Sequence, residues 1–308
     1  MRTAAINRIT AVAALAATIA ALSGCSAPAD DRPLVVVTTN ILGDVVSNIV
    51  GDEAEVMVLM KPDADPHSFE ISAKAAARIV GADLLVSNGL GLEEGLQQHL
   101  DAAEAEGVAT LVAGDVIDVL AYASGDAGGA DDPHFWTDPA RTLDVASAVA
   151  EAVEQHVEGA DPRVISSNAD EYAAQLRELD TEMTTAFGAI PAEARNLVTN
   201  HHVFGYLAER FGFTVVGAVI PGGSTLAAPS ASDLRDLVSA IEDAGVATIF
   251  AESSQPDRLV QVLADEAGID VAVVELFTES LSRPGTGADS YLTMMRTNTE
   301  RIATGLSP

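Results

Sequence analysis

Cysteine is almost absent: Cys25 is the only one among 308 residues. Without a second thiol the chain cannot close an internal disulfide, so a disulfide-stapled fold is excluded. Cations are scarce as well. Lys61 and Lys74 are the only lysines, and 16 Lys plus Arg stand against 46 Asp plus Glu, a formal net charge of -30. A surface of that sign repels phosphate and argues against nucleic acid as a partner. The same field draws in cations, although acidity alone identifies no ligand. Beyond the N-terminal segment no apolar run is long enough to span a bilayer. What remains is an ordinary globular balance, 48% hydrophobic and 20% charged, which excludes intrinsic disorder and collagen-like repeats. The length suits one large domain or, better, two.

The N-terminus accounts for the lone thiol. Arg2 and Arg8 open a positive segment, and the alanine-rich apolar run Ile9 to Leu22 has the length of a secretory signal. Leu22-Ser23-Gly24-Cys25 follows and resembles a bacterial lipobox, in which the cysteine is acylated and becomes the mature N-terminus. Residues 1–24 then form a lipoprotein signal peptide, and 25–32, with Pro28 and small polar residues, a short tether. Cleavage removes two arginines and no acid, leaving 46 acidic against 14 basic residues, a charge of -32.

Leu34 to Thr39 is a β-branched, nearly continuous apolar run, the pattern of a strand buried on both faces. A helical stretch, Ile41 to Val50, follows. The alternation repeats through Val56 to Leu59 and Ala73 to Val80, then Leu84 to Val86 and Leu92 to Glu106, then Thr110 to Val112 and a long loop. A second series of strands is expected at Asn196 to Thr199, Thr214 to Val219, Thr248 to Phe250 and Asp270 to Val274, with Gly212 and Gly245 ending two intervening helices. Strands alternating with helices imply parallel βα units, so the fold class is α/β, with two similar lobes at 33–160 and 189–308. Between them, Asp161 is a good N-cap, Pro162 suits the first helical position, and Tyr172, Leu176, Leu179, Met183 and Phe187 make one apolar stripe. Residues 161–188 are thereby expected to join the lobes as a rigid helix about 39 Å long.

Six histidines occur. His99 and His156 fall in charge-rich helical segments and read as solvated. His67 and His134 share a setting, Asp65-Pro66-His67 and Asp132-Pro133-His134, in loops beyond predicted strands. The proline before each imidazole stiffens its presentation. His201 and His202 follow another strand; neighbours on an extended backbone point opposite ways, so one of the pair can join a shared site. Ligands of open α/β sheets collect at the carboxyl ends of strands, and three imidazoles meeting there make a transition-metal site, most naturally zinc. Isolated histidines in acidic surface loops are the alternative.

Five segments together, Pro62 to Glu70, Asn88 to Glu93, Asp132 to Pro139, Thr199 to Tyr206 and Asp289 to Met295, closely resemble the zinc and manganese substrate-binding lipoproteins of bacterial ABC importers. The resemblance covers essentially the whole mature chain. It implies two α/β lobes joined by a backbone helix and one metal in the cleft, held by two ligands from each lobe. His67 and His134 match the first two ligands. The third is the histidine three residues before Phe204-Gly205-Tyr206, hence His201. The fourth is a carboxylate after the last strand, where Glu279 stands in place of the family's usual aspartate and is one methylene longer. Glu275 is the nearest competitor and Glu252 reads as a supporting acid. The loop Ala121 to Asp132 lacks the histidine-rich insertion of many zinc importers.

The resemblance implies no enzyme. It implies an exported, lipid-anchored or periplasmic protein, monomeric, that captures Zn2+, alternatively Mn2+ or iron, and passes it to an ABC permease of the inner membrane. A secreted zinc hydrolase is the rival from another class, but no His-Glu-x-x-His helix or Gly-x-Ser-x-Gly elbow occurs. An adhesin built on the same fold is a third reading.

Overall fold

A computed structural model describes residues 32–122, 128–220, 223–226, 230–246, 248–253 and 272–307. Cys25, the signal segment, most of the tether and the middle of the loop 121–132 lie outside them. The N-terminal lobe contains β1 (Leu34–Val37), α1 (Asn40–Val50), β2 (Glu55–Val58), α2 (Ala73–Val80), β3 (Leu84–Ser87), α3 (Gln97–Ala105) and β4 (Thr110–Val112). Its strands lie parallel in the order β2-β1-β3-β4. Helices α4 (Pro139–His156) and α5 (Pro162–Gly188) follow. The second lobe repeats the arrangement with β5 (Asn196–Thr199), α6 (Gly205–Phe211), β6 (Thr214–Ala218), α7 (Ala231–Ala244), β7 (Thr248–Glu252), β8 (Ala272–Leu276) and α8 (Tyr291–Gly305). Its sheet is parallel in the order β6-β5-β7-β8.

The apolar patterns find their partners. β1 is buried along its whole length, as a central strand covered on both faces must be. Gly212 and Gly245 end α6 and α7 in the left-handed conformation, at φ 72° and 62°. The Asp161 carboxylate caps α5, and all five stripe residues from Tyr172 to Phe187 are buried. At 27 residues this helix is about 40 Å long. It packs on α1, α4 and α8, so one continuous apolar core runs from Val35 and Val37 through Leu176 and Met183 to Phe250 and Leu276. Smaller clusters fill the outer faces of the two sheets. Among the described residues no helix is long and apolar enough to cross a membrane.

One expected helix is corrected. Leu92 to Glu106 breaks into a 3-10 turn at Glu94–Leu96 followed by α3. Glu93 is the cause. Its side chain turns inward, only 3% exposed, and Oε1 accepts the Asn88 N–H at 2.7 Å and the Thr38 hydroxyl at 2.6 Å, while Oε2 accepts the Gly89 N–H at 3.1 Å. That loop is tight enough to demand glycine at 89: φ is 77°, and a Cβ there would meet Val112 at 2.3 Å.

Candidate metal centre

His67 follows β2, His134 closes the loop after β4, His201 follows β5, and Glu279 follows β8. All four stand beyond the carboxyl ends of parallel strands, where an open α/β sheet leaves its crevice. Each is at most 2% exposed. The structure brings them together: one ligand atom from each lies within 4.8 Å of every other, and among the described residues no other such group forms. Glu279 Oε1 is 2.9 Å from His67 Nε2 and 3.2 Å from both His134 Nε2 and His201 Nε2. The Nε2 atoms of His134 and His201 are 3.4 Å apart. Tetrahedral zinc with bonds of 2.0–2.1 Å would space its nitrogen donors by about 3.4 Å.

Local sequence explains how two of the rings are presented. In both Asp-Pro-His segments the aspartate Oδ1 accepts the N–H of the histidine two residues on, at 2.9 Å, a turn that holds the imidazole off the strand end. Asp132 Oδ1 also lies 2.7 Å from His134 Nδ1, which directs Nε2 into the cluster. The Tyr122 hydroxyl stands 3.2 Å from the same nitrogen and donates to the Gly223 carbonyl at 3.1 Å. On His201, Glu252 Oε1 approaches Nδ1 at 2.9 Å. At that distance the carboxylate interacts with the ring electrostatically. Among the described residues, His67 Nδ1 is buried without a hydrogen-bond partner, as is Glu279 Oε2.

Charge is arranged to match. Burial pushes the His134 imidazole down, but the Asp132 and Glu279 carboxylates more than offset it and leave it above the ordinary histidine value. His201 is held well above that value, burial again being outweighed by Glu252 and Glu279. Burial would raise Glu279; the three imidazoles, His201 foremost, instead hold it well below the carboxylate range. The carboxylates that favour protons on these imidazoles would equally favour a cation in their place. Three buried carboxylates, Asp132, Glu252 and Glu279, supply excess negative charge for one.

The remaining candidates lie elsewhere. His202 is half-buried and faces Tyr122 at a ring separation of 6.3 Å, turned away from its neighbour's site. Burial and the adjacent His201 lower its pKa. His99 and His156 are exposed. The Glu275 side chain is 61% exposed beside Arg301. Sequence reasoning assigned no role to Asp132, Tyr122 or Asn40, all of which touch the ligand loops. Only Asp132 left a signal, in the repeated Asp-Pro-His.

The model of the periplasmic zinc-uptake complex component A family matches residues 35–305. The chain belongs to that family. It is accordingly a substrate-binding protein of metal ABC transporters and not an enzyme. The zinc-binding protein TroA of Treponema pallidum is 32% identical over 285 residues, covering 91% of each chain. The manganese ABC transporter substrate-binding lipoprotein PsaA of Streptococcus pneumoniae is 30% identical over 305 residues, 96% of each. The iron-binding protein YfeA of Yersinia pestis is 28% identical, covering 99% of this chain and 96% of its own. The solved TroA structure superposes with a TM-score of 0.82 at 30% identity, covering 90% of this chain and all of that one. This is the fold expected of the family, two α/β lobes with a long helix between them in the chain.

Proposed function

We propose that this protein captures zinc outside the cytoplasm, with His67, His134, His201 and Glu279 as its ligands, and delivers it to an ABC permease. The observation that carries this reading is the donor set: three buried Nε2 atoms and one carboxylate oxygen at mutual distances that suit a single tetrahedral ion. Relatives named for zinc, manganese and iron leave the metal to be decided by chemistry. Nitrogen-rich sites suit zinc, whereas manganese prefers more oxygen. In this reading residues 33–160 and 189–308 are the lobes, 161–188 links them, and the protein works as a monomer.

Native mass spectrometry of stripped protein offered equal free zinc and manganese tests the metal, and zinc occupancy is expected. Protein recovered from its native envelope loaded with manganese while zinc is available would sink the assignment. His201→Ala should damage zinc binding far more than His202→Ala; equal effects would show that the wrong member of the pair was chosen.

The second part of the reading is a lipid anchor at Cys25, supported by the Leu-Ser-Gly-Cys sequence and by relatives named as lipoproteins. Several acyl chains hold a protein stably where one does not. Cys25→Ser should therefore release the protein from membranes, and unchanged partitioning would count against acylation.

A further inference from the structure

Glu279 follows a strand of the second lobe, yet the main chain on either side of it is fastened to the first. Just before it, the Thr278 carbonyl accepts the Trp136 Nε1–H at 2.7 Å. Just after it, the contacts converge on Asn40, the first residue of α1, 7% exposed and more than 200 positions away in sequence. Asn40 Oδ1 accepts the Leu281 N–H at 2.8 Å. Asn40 Nδ2 donates to Ser280 Oγ at 2.8 Å and to the Lys61 carbonyl at 3.1 Å. Lys61 opens the loop that ends in His67, and the Asp63 N–H of that loop donates to the Leu281 carbonyl at 3.0 Å.

These partners fix the orientation of the amide. A main-chain N–H on one side requires the oxygen and a carbonyl on the other requires the nitrogen, so Asn40 cannot be flipped without losing both. Asparagine offers both functions on a short side chain. An aspartate there would retain the acceptor and lose both donors, and an alanine would lose everything.

We infer that Asn40 is the positioning residue for Glu279, fixing the carboxylate in the frame of the first lobe. His67, His134 and Glu279 then form a preassembled three-donor half-site, and His201 is the donor that the second lobe adds. The inference rests on Glu279 being a ligand, as proposed above. Residues that orient ligands are typically worth 10–100-fold in metal affinity.

A double-mutant cycle on zinc affinity, measured by competition with a chromophoric chelator, tests it. Asn40→Ala should weaken binding about 10–100-fold in the wild-type background. In the Glu279→Ala background, where three imidazoles still bind zinc, the same change should cost much less, no more than the Lys61 contact lends the His67 loop. An equal loss in both backgrounds would mean general structural damage and overturn the inference, as would an unchanged affinity in Asn40→Ala. If Glu279→Ala alone leaves zinc affinity intact, the four-ligand site itself is wrong, a separate and recognisable result. The visible spectrum of the cobalt(II) form gives a second readout. It reports coordination, and it should change in Asn40→Ala toward that of Glu279→Ala. Should Asn40→Ala not fold, Ser280→Ala removes a single partner of Asn40. It should cost about fivefold, the net worth of one hydrogen bond, again only when Glu279 is present.

Discussion

The two Asp-Pro-His segments are nearly the same sequence and make the same turn, yet their histidines end in different surroundings. In each, the aspartate Oδ1 holds the histidine N–H at 2.9 Å. Asp132 is 2% exposed and the same oxygen reaches the ring nitrogen of His134. Asp65 is half-buried, and its Oδ2 accepts the hydroxyls of Ser68 at 3.1 Å and Thr225 at 2.7 Å, the latter from the other lobe. His67 Nδ1 has no hydrogen-bond partner among the described residues. Local sequence therefore dictates the backbone, while tertiary context decides whether the carboxylate tunes an imidazole or fastens a loop.

The sharpest way to break this contrast is to remove Asp132. Asp132→Ala takes the acceptor from His134 Nδ1–H, and zinc affinity is expected to fall about 10–100-fold. Isothermal titration or chelator competition measures it. A change below threefold would show that the carboxylate supports only the backbone.

Next in size is the pH dependence of the metal-free protein. His134 and His201 have folded values above their unfolded ones. Their contribution to stability is fully present below about pH 6.5 and is lost as pH rises through the folded values. Glu279 is depressed, so its contribution is present above about pH 4.3 and lost as pH falls through its folded value. Metal-free stability should peak between those limits and decline toward pH 8. Zinc needs the imidazoles deprotonated, so the rise in melting temperature on adding it should grow from about pH 5.5 to 8. Differential scanning fluorimetry reads this directly, and a rise independent of pH would contradict the charge arrangement.

A smaller effect is expected at Gly205. A Cβ there would come within 2.5 Å of Asp132 Oδ2, so Gly205→Ala must displace the carboxylate that supports His134. The loss in zinc affinity should be about fivefold, one hydrogen bond's worth, and should vanish in an Asp132→Ala background. Smallest is Asp65→Ala. It should cost about 1 kcal/mol of stability by chemical denaturation and leave zinc affinity within about threefold. A loss matching that of Asp132→Ala would erase the distinction between the two segments.

Regular elements were legible wherever apolar pattern and cap chemistry agreed. Ala73–Val80, Thr110–Val112 and Asn196–Thr199 stand where the pattern puts them, and α5 extends only one residue beyond the expected stripe. Leu92 to Glu106 misled because helix propensity says nothing of a glutamate drawn inward by main-chain N–H groups of the preceding loop. The donor cluster was legible in part because each histidine lies near a strand end with a recognisable neighbour. Asn40 was not, since an asparagine opening a helix looks like any other until a loop some 240 residues away comes to rest on it.

Burial of the four donor groups also has a consequence in time. With none more than 2% exposed, the donors themselves are out of reach of a chelator in this conformation. Contacts between the two lobes cover the donors: Trp136 to Thr278, Tyr206 to the Asp132 carbonyl and Asn40 to Leu281. An ion that binds the closed form more tightly would also hold these contacts closed for longer. Affinity and residence time would thus be set in part by the same contacts, those that keep the donors covered.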